Sequence, residues 1–155
     1  MLKKLIEYTD FNGGKRSENF YFSLSEAELM DMELETVGGF QQMLQLIIDK
    51  QDIPKIVKAF KKIIRESYGE KSADGRRFIK SPELSEAFTQ TNAYNKLYME
   101  LITDAKAAAE FLNAIVPENI AQRAAAVREE EEKAEQAAKA EVEQNIHLLD
   151  STREA

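Results

Sequence analysis

The sequence predicts a mainly α protein with an N-terminal β-hairpin, an α+β fold in which a compact helical body carries an extended acidic C-terminal helix or tail. Three observations predict it. The first 24 residues alternate apolar and polar around an Asn-Gly turn signal, the spacing becomes helical from Ser25, and the composition changes again after Pro117. Domain boundaries follow: residues 1–117 form the hairpin and helical body, and residues 118–155 an acidic Ala/Glu-rich helical tail that is partly disordered.

A chain of 155 residues with 43% apolar content, eight Phe and five Tyr has material for one core. The net charge of −7 is unevenly placed. From Glu118 onward ten acidic residues stand against five basic ones, a balance of −5, which leaves −2 for the preceding body. There is no cysteine, so disulfides, Cys-ligated zinc, iron–sulfur clusters and thiol catalysis are excluded. No run approaches the roughly 20 apolar residues of a membrane span. Lys3, Lys4 and Glu7 place charge where a signal peptide would be apolar. A cytoplasmic protein is expected.

Asn12-Gly13 tolerates the positive φ of a tight turn. Before it, Ile6 and Tyr8 mark one face of a strand; after it, Phe20, Phe22 and Leu24 alternate with Tyr21 and Ser23. A lone hairpin is marginal, so this face must be covered by helices or by strands of another chain. Ser25-Glu26-Ala27-Glu28 is a capping box that opens a helix ending near Glu35 or Thr36, before Gly38-Gly39. A second helix is expected from about Phe40 to Lys50, with Phe40, Met43, Leu44 and Ile47 on one stripe. A third starts after Asp52 with Pro54 in its first turn, and Ile53, Ile56, Val57, Phe60, Ile63 and Ile64 recur at amphipathic spacing.

Residues 68–80 hold glycines and charges without periodicity and read as a loop, with Asp74-Gly75 making a turn and Tyr68, Phe78 and Ile79 plugged into the core. Ser81-Pro82-Glu83 restarts a helix with a cap, a first-turn proline and an acid. After a break near 89–92, one long helix is expected to carry Tyr94, Leu97, Tyr98, Leu101, Ala105, Ala108, Leu112 and Ile115 as far as Pro117. The segment 121–143 pairs Glu129 with Lys133 and Glu135 with Lys139 at i,i+4 but has no large apolar stripe, so a solvated helix is expected.

No constellation points to catalysis. The single histidine, His147, lies in the tail without converging acids. A helix spreads Glu129 to Glu132 around its circumference, and Glu33 falls on a different face from Asp31 and Glu35. P-loop, dinucleotide-binding and nucleophile-elbow patterns are missing. The expectation is a non-enzymatic interaction protein with no catalytic, cofactor-binding or metal-binding residues. Residues 50–80 carry ten basic against four acidic side chains, a local +6. A nucleic-acid surface would use such charge, but Lys58, Lys61, Lys62 and Arg65 lie where an amphipathic helix must be polar, and no aromatics interleave for stacking. A solvated face, neutralised by the acidic tail or by an acidic partner, is the reading adopted.

The loop also carries a resemblance. Tyr68-Gly69, Lys71-Ser72, Asp74-Gly75-Arg76-Arg77-Phe78 and Ser81 resemble a family of bacteriophage tail assembly chaperones from long-tailed phages of Gram-positive hosts. The likeness extends back to Tyr8-Thr9-Asp10-Phe11-Asn12-Gly13 and Phe20-Tyr21-Phe22. It extends forward through Glu86-Ala87-Phe88, Thr91, Ala93-Tyr94 and Ala109-Glu110-Phe111 to Pro117, about three quarters of the chain without the acidic tail. The resemblance implies a protein of the infected host cytoplasm that binds the tape-measure protein and keeps it soluble during tail assembly, with tail-tube protein left open as a further partner. It also implies absence from the mature virion. The alternative is a structural virion component such as a head–tail connector or tail protein. No nucleic acid or membrane is expected as a partner, and a homo-oligomer is left open. Apolar anchors and charge suited to such binding are Phe20, Phe22, Phe40, Leu44, Ile47, Phe60, Lys58, Lys62, Tyr68, Arg76, Arg77 and Phe78.

Overall fold

Alternation in the first strand and a five-residue turn, residues 10–14, build the hairpin on which the body is assembled. In the computed structural model, which describes residues 1–35 and 53–151, β1 (Leu2–Thr9) pairs antiparallel with β2 (Lys15–Phe22), with Leu2 opposite Phe22 and Thr9 opposite Lys15. Asp10 closes the turn. Its amide donates to the Gly14 carbonyl at 2.8 Å, and its carboxylate accepts from the Asn12 and Gly14 amides and from Arg16 Nε. The Arg16 hydrogen bond holds the Asp10 carboxyl below its usual range. Gly13 takes a φ of 81°, which a side chain would disfavour.

Helix α1 (Glu26–Glu35) begins with the capping box formed as expected: the Glu28 amide donates to Ser25 Oγ at 3.2 Å and the Ser25 amide to Glu28 Oε2 at 2.8 Å. The helix expected at 40–50 lies outside the described residues. Helix α2 (Ile53–Ser67) follows, with Phe60, Ile63 and Ile64 buried and Lys58 and Lys61 exposed.

Residues 68–80 differ from expectation. They form β3 (Tyr68–Lys71) and β4 (Phe78–Ile79), which extend the hairpin to an antiparallel sheet in the order β1-β2-β3-β4. Phe22 lies opposite Tyr68, Tyr21 opposite Gly69, and Lys71 opposite Phe78. Gly69 and the charges of Glu70 and Lys71 hide β3 from any alternation test, because pairing with β2 supplies what local propensity lacks. The Asp74-Gly75 turn forms, with Gly75 at a φ of 71° and its amide on the Ser72 carbonyl. Ile79 is 37% exposed and Phe78 half-buried, so neither is a core plug.

Helix α3 (Pro82–Thr89) has Ser81 as its cap, whose hydroxyl accepts from the Leu84 amide. The long helix expected from 93 to 115 is two helices, α4 (Asn92–Thr103) and α5 (Ala105–Ile115). Asp104 divides them. It leaves helical geometry at φ −121° and ψ 104°, and its carboxylate caps α5 through the Lys106 and Ala107 amides.

The core sits between one sheet face and these helices. Phe22 is fully buried at its centre, 5.2 Å from the ring of Phe111 and 5.7 Å from that of Phe88. Main-chain bonds tie the end of β2 to both flanks: the Ser23 amide reaches the Ser67 carbonyl, and the Leu24 amide the otherwise unsatisfied Ile115 carbonyl. Lys80 Nζ joins the Ser23 carbonyl and Glu28 at 2.6 and 2.7 Å.

The chain divides into two units, Met1–Pro117 and Glu118–Ala155. The second is one helix, α6 (Glu118–Ser151). Glu135 and Lys139 bridge at 2.7 Å, whereas among the described residues no bridge joins the expected pair Glu129 and Lys133. No helix among the described residues is long and apolar enough to cross a membrane.

Candidate partner-binding surface

The alternation that buries Ile6 and Phe22 turns Lys3, Leu5 and Glu7 to the other side of β1. The register then defines an outer sheet face. Lys3 lies opposite Tyr21, Leu5 opposite Asn19, Tyr21 opposite Gly69, and Lys71 opposite Phe78. Leu5, 57% exposed, is a diagonal neighbour of Tyr21. The Phe78 ring lies over Gly69: a Cβ built on that glycine would fall 2.7 Å from Phe78 Cε1. Leu5, Tyr21 and Phe78 therefore form a diagonal apolar band across the strands. Lysines rim it, with Lys71 Nζ 6.0 Å from the Tyr21 ring centroid and Lys80 Nζ 5.6 Å from that of Phe78.

The sequence-derived anchors separate into groups. Phe22 and Phe60 are 0% and 1% exposed and belong to the core, so in this fold they offer a partner nothing. Phe20 and Tyr68 lie on the inner side, half-buried, and both pack on Phe88, at 5.1 Å and in a 4.2 Å stack. Burial pushes the Tyr68 phenol up from its ordinary value, helped by the nearby Glu70 carboxylate. Phe78 is on the outer face. Arg76 and Arg77 are exposed at the β3–β4 turn, which Asp74 stiffens by accepting from Ser72 Oγ at 2.6 Å and from the Arg76 amide. Hydrogen bonding from Ser72 holds the Asp74 carboxyl below its usual range.

Lys58 is exposed and Lys62 half-buried on α2, an element apart from Phe78. Phe40, Leu44 and Ile47 fall outside the described residues. The basic excess of residues 50–80 is partly spent within the body. Arg65 bridges Glu86 at 2.8 Å, Lys61 Nζ lies 5.7 Å from the Tyr98 ring, and Lys80 holds Glu28. Leu5, Tyr21, Lys3 and Lys71 share this outer face and were not among the sequence-derived anchors. The available signal was Leu5, an apolar side chain on the polar register of β1.

Among the described residues no cluster of three or more His, Asp or Glu could hold a metal ion. The surface presents apolar contact area and cations. A family model described as phage tail assembly chaperone matches residues 1–154, so the chain belongs to that family. The match runs through the acidic tail, which the sequence resemblance had left uncovered. No curated protein and no solved structure matches.

Proposed function

We propose that this member of the phage tail assembly chaperone family binds the tape-measure protein in the infected cell and keeps it soluble while tail-tube subunits polymerise around it. The protein catalyses no reaction in this role and is left out of the finished particle. One observation carries the reading: among the described residues helices cover the inner face of the sheet, while the outer face keeps the exposed Leu5 beside the half-buried Tyr21 and Phe78. An amphipathic helix presents apolar anchors at i, i+3, i+4 and i+7, and such a band accepts them. Arg76, Arg77 and Lys71 flank the band and favour acidic residues beside the anchors. The acidic helix α6 supplies the charge that keeps a chaperone–client complex dispersed.

A pull-down of the tagged chain from infected cells, paired with mass spectrometry of purified particles, tests the reading. The tape-measure protein should be recovered with the chain, and the chain should be missing from particles. Presence at a fixed copy number in particles would instead establish a connector or tail component.

A further inference from the structure

We infer that the free edge of β1 pairs antiparallel with β1 of a second copy, about a two-fold axis at Leu5, joining two sheets into one. Main-chain groups of alternate residues face the edge. The Asp10 amide bonds the Gly14 carbonyl, so even-numbered residues of β1 direct their amides and carbonyls toward β2. Residues 3, 5, 7 and 9 direct theirs outward. Side chains of α4 confirm this parity, since Lys96 Nζ donates to the Glu7 carbonyl and Asn92 Nδ2 to the Thr9 carbonyl at 2.9 Å. These caps guard the far end of the strand. Among the described residues, nothing bonds the outward amides and carbonyls of Lys3 and Leu5.

An open edge with such groups is a template for another strand, and proteins commonly block it with a lysine. Lys3 would be that block if it stood alone. It has an unpaired counterpart, however. Lys3 and Glu7 both point to the outer face, and neither side chain has an ion-pair partner among the described residues. Their cross-strand neighbours are Tyr21 and Ser17, which are uncharged. Four residues apart on a strand they are separated by about 13 Å, too far to meet each other.

A two-fold axis at Leu5 solves this for both. It sets Lys3 opposite Glu7 of the second copy, Leu5 opposite Leu5, and Glu7 opposite Lys3, all through outward-facing main-chain groups. Axes at Lys3, Lys4 or Glu7 set like charges face to face, and an axis at Ile6 leaves Lys3 opposite Thr9. The Glu7 carbonyl has two lone pairs, so it accepts the incoming Lys3 amide without releasing Lys96. The pairing would also bring the two Leu5–Tyr21–Phe78 bands together as one apolar surface, long enough for an extended helical client. The inference stands on the edge geometry and does not require the tape-measure reading.

Sedimentation velocity of the full chain from micromolar to millimolar concentration tests it. The wild type should form a dimer. Lys3→Glu and Glu7→Lys should each weaken the dimer about tenfold or more, because each puts like charges at both contacts. The double swap should restore it. Leu5→Pro, which removes the outward amide at the axis but is tolerated on an edge strand, should give a folded monomer by circular dichroism. A wild-type monomer throughout, a dimer indifferent to the single swaps, or a double swap that fails to rescue would each overturn the inference.

Discussion

Phe88 gathers the aromatic cluster: it packs against Phe20 and Phe22, stacks on Tyr68, and meets Tyr94 edge-on. The cluster pins the inner sheet face to α3 and so decides which residues remain outside. Lys80 acts beside it at the junction of β2, α1 and β4. Burial alone would raise the Glu28 carboxyl, but the Lys80 ammonium and the Ser25 amide outweigh it and hold that group below its ordinary 4.5. The folded state then binds fewer protons than the unfolded one over that interval. The resulting stability is fully present above the unfolded value and is lost as pH falls through the folded one. Lys80→Met should cost about 1 kcal/mol at neutral pH, discounted for the partly exposed pair, and should flatten the loss of stability below pH 4.5. Urea denaturation across that range checks both. Phe22 and Phe60 show the limit of reading single residues: alternation and helical spacing mark them as apolar-facing, but only packing tells a core face from a docking face.

Elements with a local cause were legible. The hairpin, the Ser25 capping box and the Ser81-Pro82 helix start each rest on side chains that act within a few residues, and each formed. Asp104 had the same kind of signal, a capping residue ahead of an alanine run, but the unbroken apolar period from Tyr94 to Ile115 masked it. Strands β3 and β4 had none, because their reason lies in β2. Gly69 shows how tightly they are fitted. A Cβ there would stand 2.8 Å from the Ile79 carbonyl oxygen as well as 2.7 Å from the Phe78 ring. The ring can swing away; the carbonyl can move only if the ladder opens. Gly69→Val should therefore destabilise the protein by about 1–3 kcal/mol and speed hydrogen exchange at the Ser72 and Arg77 amides, which close the β3–β4 turn.

For the whole chain, membership of a tail assembly chaperone family stands beside an apolar band on the outer sheet face. The composition break after Pro117 was visible as charge, whereas the outer face showed in the sequence only as Leu5 on the polar register of β1, since bringing Tyr21 and Phe78 beside it depends on a register that only the assembled sheet defines. Client solubilisation is read from the soluble fraction of the tape-measure protein expressed alone, with the wild-type chain, and with a Tyr21→Glu, Phe78→Glu double variant. The wild type should keep the tape-measure protein in the supernatant after centrifugation, and the double variant, folded by circular dichroism, should leave it in the pellet. Equal solubility with and without the wild-type chain would contradict the account.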